Sequence, residues 1–345
     1  MNTSDLLPVG KLKSDYLKKL IERFCQVDDR VIVGPKIGED AAVIDVGDRY
    51  LVATTDPITF ATDEIGWYTL QINANDIATM GATSKWLLAT ILLPEKSASE
   101  AMVESIFSQL SSACQGLDIS LCGGHTEITG GIDRPIVVGL MLGEVERSKL
   151  VTTSGARVGD DVLLTKGIAI EATSILAREC ADVLGDTFSK EFLDRCRQYL
   201  FDPGISVVRD AHIATQAAAA RAARVHAMHD PTEGGLATGL HEMCAAAGVG
   251  MMIRREKILV FPESKELCSH FHLDPLGSIA SGALLIALAR EDTESVLRAF
   301  ESNGIHVSVI GRVEEKAFGV KMEEKGTVRD LPTFERDEIA RVFEP

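Results

Sequence analysis

Asn73-Ala-Asn-Asp-Ile-Ala-Thr-Met-Gly81 lies inside a segment patterned as a helix, yet it carries three residues that weaken helices. The pattern from Gly66 to Gly81 places Trp67, Leu70, Ala74 and Ile77 on one apolar stripe, and Gly81 stands where a helix stop belongs. At about 100° per residue, Asp76 falls opposite that stripe, flanked by Ile72 and Thr79. A merely solvated face would favour Glu and Lys. Asn73, Asn75 and Asp76 instead break local propensity with no visible compensation, which points to a site.

On the N-terminal side two short strands lead toward this helix. Gly38-Glu-Asp-Ala-Ala42 sets two carboxylates in a glycine-initiated turn before a strand over Ala41–Val46. A second strand, Tyr50–Thr55, ends at Thr54-Thr-Asp-Pro57, with two hydroxyls and a carboxylate at its C-terminal edge, where ligands gather in α/β proteins. Carboxylates in such turns hold a cation on phosphates, and they also serve as ordinary strand-ending turns. Each segment alone leaves both readings open.

On the C-terminal side come a strand at Leu87–Leu93, a helix at Ser99–Gln115 and strands near Ile119–Cys122 and Pro135–Val145. Leu121-Cys-Gly-Gly-His-Thr-Glu127 then reads as a glycine turn after a strand, with backbone able to approach a ligand at Gly123 and Gly124. The polar trio His125, Thr126 and Glu127 follows, although a histidine in such a turn is often structural. No Walker-A pattern occurs anywhere. In the second half, His226-Ala-Met-His-Asp-Pro-Thr-Glu-Gly-Gly235 reads as a helix opening with Thr232 as N-cap. His226 and His229 lack a third ligand for zinc.

Polar Glu146–Asp161 is the expected boundary between two domains, 1–147 and 148–345. Strands and helices alternate on both sides, which predicts an α/β (α+β) protein. The net charge of −16 excludes a basic nucleic-acid footprint but not a nucleotide carried with Mg²⁺. The seven cysteines are scattered without CxxC spacing, and no apolar run is long enough for a membrane span or a signal segment. A cytoplasmic protein is expected.

Taken in order, G-E-D-A-A-V-I, T-T-D, N-D-I-A-T-M-G-A, G-G-H-T and H-D-P-T-E-G-G-L resemble the AIR-synthase (PurM-like) superfamily, most closely its HypE and HypE-like branch. The resemblance implies a two-domain PurM-like fold whose N-terminal sheet domain forms a dimer barrel, with ATP near the subunit interface. It implies that Asp40, Asp56, Asn75, Asp76, Gly123, Gly124, Thr126 and Asp230 bind the nucleotide, and that Asp40, Asp56 and Asp76 hold Mg²⁺. The expected chemistry is phosphorylation of an amide-like oxygen by ATP, with ADP and phosphate released. A small-molecule kinase resembling thiamin-monophosphate kinase, or a non-catalytic nucleotide-binding maturation factor, is the alternative.

The chain departs from the HypE pattern at two places. It ends Ala340-Arg-Val-Phe-Glu-Pro345 with its last cysteine at Cys268, so no terminal thiol carries a substrate as in HypE. His125 and Glu127 also stand where HypE proteins usually have aspartate and lysine, which makes these two residues the expected catalytic pair.

Overall fold

The computed structural model describes residue 7 and residues 10–343. Two mixed sheets account for the strands. The first contains β1 (Val31–Val33), β2 (Ala42–Asp45), β3 (Tyr50–Ile58), β4 (Thr83–Pro94), β5 (Ser120–Thr129) and β6 (Ile136–Val145). Its order is β1-β2-β3-β6-β4-β5, antiparallel except for the β4–β5 pair. The second contains β7 (Asp161–Thr165), β8 (Val225–His229), β9 (Gly250–Arg254), β10 (Leu285–Leu288), β11 (Val307–Glu314), β12 (Val320–Glu324) and β13 (Thr327–Asp330). Its order is β13-β12-β9-β11-β7-β10-β8.

The chain opens with α1 (Ser14–Phe24), and three later helices bear on the site: α2 (Ile65–Thr79), α3 (Glu100–Gly116) and α4 (Ile170–Glu179). The Ser99 hydroxyl caps α3 by accepting from the Met102 amide at 3.2 Å. Gly81 follows α2 with φ +70°, the left-handed turn that its missing side chain permits.

Helix α2 departs from the amphipathic expectation. Every residue of it except Trp67 is buried, because it packs on the first sheet and α3 and also against β8 and the helix Val208–Ala219 of the second half. The stripe-and-face pattern therefore marks two buried faces, one apolar and one polar. Each polar group on such a helix that finds no partner costs stability.

The segment read as polar linker is pinned rather than loose. Glu39 accepts from the amides of Thr153 and Ser154, both at 3.1 Å, and the Val151 amide donates to the Met80 carbonyl at 3.1 Å. At Gly155 a Cβ would lie 2.0 Å from the His226 carbonyl oxygen, so only glycine allows the linker this close to β8. Strands β9, β12 and β13 carry no motif that sets them off in the sequence. They form by pairing within the second sheet, where β13 is the exposed edge.

Candidate functional site

The polar face of α2 divides into two jobs. Asn73 accepts from the Asp56 amide at 3.0 Å and donates to the Thr69 carbonyl at 2.9 Å, which ties β3 to the helix at Asp56. Asp56 is paired across the sheet with Gly139, where a Cβ would sit 2.4 Å from Asn73 Nδ2. Glycine at 139 is what admits Asn73. Asn75 faces the second half instead, donating to the Ile205 carbonyl and accepting from the Val207 amide at 2.9 and 2.8 Å. Both ends of that amide are thus engaged by backbone.

Asp76 lies between these two residues and is buried. Thr54 Oγ1 is 2.6 Å from its Oδ2 and 3.2 Å from the Asp40 carbonyl oxygen. Burial first, then the charges of Asp56, Asp230 and Asp40, hold the Asp76 carboxyl well above the usual carboxylate range. Asp230, at the end of β8, is raised likewise by burial, Asp40 and Asp56. Four aspartates from four chain segments, Asp40, Asp56, Asp76 and Asp230, therefore form one electrostatic cluster.

Two cations border it. His229 Nδ1 is 2.5 Å from Asp40 Oδ1, and its Nε2 is 3.2 Å from Glu242 Oε2. Burial alone would lower the imidazole pKa, but Asp40 and Glu242 outweigh it and hold the ring well above its ordinary value. His229 is thus an imidazolium clamped between carboxylates. Lys11, half-exposed, reaches Thr232 Oγ1 at 3.2 Å and Glu242 at 3.8 Å. Glu242 in turn is held below its usual range, because Lys11 and His229 overcome its burial.

The segment His226–Gly235 differs from the helix opening expected of it. Residues through His229 are strand β8, and the helix Gly235–Ala247 has Gly234, not Thr232, at its N-cap position. Gly234 has φ +81°, and its amide donates to Asp337 at 2.7 Å. His226 bonds Asp160 at 2.9 Å, so the two histidines serve different carboxylates and form no metal pair.

The glycine-turn reading of Gly123–Glu127 also gives way. These residues lie in the continuous strand β5, at the edge of the first sheet, and Cys122–Ile128 are exposed. Asp56, Gly139, Ala89 and Gly124 form one row across β3, β6, β4 and β5. At about 4.8 Å per strand, Gly124 stands about 14 Å from Asp56. Gly123, Gly124, His125 and Thr126 line a cavity of their own with Phe107. His125 Nε2 lies 3.0 Å from Glu127 Oε2, and Thr129 with His125 holds the Glu127 carboxyl below its usual range. A single chain therefore does not bring His125, Thr126 or Glu127 to the aspartate cluster.

A cavity of about 470 Å³ opens beside Asp56, between the two halves of the chain. Pro57, Phe60 and Ile72 face it from the first half, and Glu171, Ile279 and Ser281 from the second. Sequence reading passed over Glu171, Glu242 and Lys11. A glutamate in the first turn of α4, as Glu171 is, reads locally as a helix-dipole residue, and Lys11 has no motif around it.

The aspartate cluster carries hard oxygen donors of the kind a divalent cation takes. Asp40 Oδ2 and both Asp230 oxygens are buried with no hydrogen-bond partner, an expensive state that a cation relieves. Among the described residues, no group of three or more His, Cys, Asp or Glu is placed so as to hold a metal ion. No helix of the described residues is long and apolar enough to cross a membrane.

Fold and site together define a two-domain α/β protein with a carboxylate-rich cleft between its halves. Residues 38–145 match the family model described as AIR synthase related protein, N-terminal domain, and residues 157–323 match that of its C-terminal domain. The chain belongs to the AIR synthase related protein family. It is 26% identical over 323 residues, 91% of each chain, to a Methanocaldococcus jannaschii protein assigned to hydrogenase expression and formation. It is 27% identical over 321 residues to carbamoyl dehydratase HypE of Cupriavidus necator, covering 88% of this chain and 86% of that one.

Solved structures agree on the PurM-like fold. A HypE–HypF complex aligns with TM-score 0.74 at 20% identity over 93% of this chain and 100% of the matched one. A ThiL complex with AMPPCP and TMP aligns at 0.70 and 20% identity over 93% and 94%. HypE in complex with ATP aligns at 0.66 and 22% identity over 95% and 99%.

Proposed function

We propose that this chain is a cytoplasmic Mg-ATP-dependent enzyme that activates an amide-like oxygen and releases ADP and phosphate. The carrying observation is the convergence of Asp40, Asp56, Asp76 and Asp230, with orphaned oxygens, beside a cavity walled by both halves. Support comes from relatives named as carbamoyl dehydratases and from a similarly folded HypE solved with ATP.

Asp40, Asp56 and Asp76, with Asp230, would hold Mg²⁺, which neutralises nucleotide phosphates and steadies the transferring phosphoryl group. The chain's own residues supply the positioning. Asn73 fixes Asp56, Thr54 orients Asp76, and His229 fixes Asp40. The amide oxygen attacks the γ-phosphorus of ATP and ADP departs. The carbon–oxygen bond then breaks with phosphate as leaving group while the nitrogen gives up its protons. Most of the acceleration comes from proximity and charge placement.

The reading includes a homodimer. Strand β5 leaves an open ten-residue edge with Ile128 67% exposed, a surface that pairs readily with a second copy. In that arrangement Gly123, Gly124, His125, Thr126 and Glu127 of one copy would complete the nucleotide site of the other. The likeness to a ThiL complex favours a kinase as the second reading, in which phosphate stays on the product. A non-catalytic maturation factor would bind nucleotide without turnover.

Calorimetry with Mg-ATP tests the nucleotide, and ADP and phosphate release against primary amides and carbamoyl compounds tests the chemistry. Saturable binding with equal release of both products is expected. Folded protein that ignores millimolar Mg-ATP sinks all three readings. ADP release without phosphate selects the kinase.

A further inference from the structure

The cavity beside Asp56 contains two polar side chains that the phosphoryl chemistry above does not use. Glu171 is 4% exposed and Ser281 fully buried, and both line the cavity. Glu171 Oε2 and Ser281 Oγ complete no hydrogen bond of good geometry, although the Ser281 hydroxyl and amide stand close enough to Glu171 to favour its charged form. A buried carboxylate oxygen and hydroxyl left unpaired cost free energy, and a ligand that reaches them recovers it.

The surroundings decide what kind of ligand fits. Ile58, Phe60, Ile72, Ile175 and Ile279 make the walls apolar, so the polar recognition is concentrated at Glu171 and Ser281. Of the cavity's two cations, Lys11 is engaged by Thr232 and Glu242, whereas Arg134, 45% exposed, only approaches Asp133 at 4.0 Å. Burial, with Asp337 and Glu233, pushes the Glu171 carboxyl up to about 7, against the opposing effect of Ser281. A carboxylate or phosphate placed there meets more negative charge. A group carrying N–H donors meets acceptors.

We propose that Glu171 and Ser281 form a specificity subsite that binds an N–H-bearing end of the substrate, a primary carboxamide or amidine. The inference rests on the reading of this cleft as the substrate cleft. It deepens that reading by assigning the substrate's N–H donors to Glu171 and Ser281, and by excluding an anionic group from that end.

The test uses the full-length protein without nucleotide, just above neutral pH, and ligand-observed NMR titration with acetamidine, acetamide and acetate as probes. Saturable acetamidine binding is expected, with acetate much weaker. Glu171→Gln should weaken acetamidine about tenfold, the loss of one charge-assisted hydrogen bond. Ser281→Ala, a smaller change, should weaken it in the same direction, and thermal unfolding of both variants establishes that they fold. Absence of saturable acetamidine binding to the wild-type protein overturns the proposal. So does acetate binding as tightly as acetamidine, or unchanged acetamidine affinity in the folded variants. Because the titration needs no ATP, its failure beside intact Mg-ATP binding refutes the subsite alone.

Discussion

His229 and Asp40 are 189 positions apart in the chain, and their side chains meet at 2.5 Å. The pair joins the first sheet's entry turn to the last residue of β8, and Glu242 holds the other ring nitrogen. Position and charge of Asp40 in the cluster thus depend on a residue from the opposite half.

Removing the imidazole leaves Asp40 buried without its cation and Glu242 with Lys11 alone. His229→Ala should destabilise the protein by about 3 kcal/mol, the usual cost of breaking a buried pair, read from denaturant midpoints. The pH dependence follows from the raised folded-state pKa of His229. Its stabilisation is complete below the ordinary histidine range and is lost as pH rises through that higher folded value. Wild type should lose stability on the alkaline side, and His229→Ala should lose less over the same range. Parallel alkaline curves for the two proteins would contradict the imidazolium assignment.

Asp76 is held in a cluster of like charge. Asp76→Asn keeps the acceptor for Thr54 and removes one carboxylate, so the free protein should gain about 1 kcal/mol of stability. Its Mg-ATP affinity should fall at least about tenfold. Calorimetry and thermal melts on one preparation check both. Gain of stability with undiminished nucleotide binding rules out Asp76 as a ligand.

Gly139 makes room for the side chain that fixes Asp56. Gly139→Ala places a methyl 2.4 Å from Asn73 Nδ2, and either Asn73 or the strand must move. A destabilisation of about 1–3 kcal/mol is expected. Nucleotide affinity should fall with it, although residue 139 touches no ligand. Adding Asn73→Ala should restore stability but not affinity, because the clash disappears while the Asp56 anchor is also gone.

Strand β5 offers the edge for self-association. Ile128→Lys puts a charge on that edge, and sedimentation velocity should show a monomer where wild type is a dimer. Turnover should drop steeply in the monomer if the second copy supplies Gly123–Glu127. A wild-type protein that sediments as a monomer removes the homodimer from the proposal.

Much of the site was legible in residue type and order. Asp76 stands out because it interrupts a helix where local propensity gives no reason for a carboxylate, whereas Asp40, Asp56 and Asp230 sit in turns or at element ends where a carboxylate is ordinary, and only the order of the motifs singled them out. The structure gathers all four. Asn75 was legible as anomalous but not in its role, since its partners, the backbone of Ile205 and Val207, lie about 130 residues away. Gly123–Glu127 looked like a turn because paired glycines usually make one, whereas pairing with β4 draws them into an extended edge strand. Thr232 looked like an N-cap by type, but the left-handed backbone at Gly234 starts the helix two residues later.

The sequence by itself determined the alternation of elements, because periodicity and turn chemistry are local properties of the chain, and the order of its motifs carried the resemblance that implied the family and the four aspartates. Only the tertiary structure decided that α2 is buried on both faces, that His229, Glu242 and Lys11 carry the countercharge, and that Glu171 faces the cleft. Those outcomes depend on desolvation and on contacts between residues far apart in the chain, and neither exists until the two halves pack together.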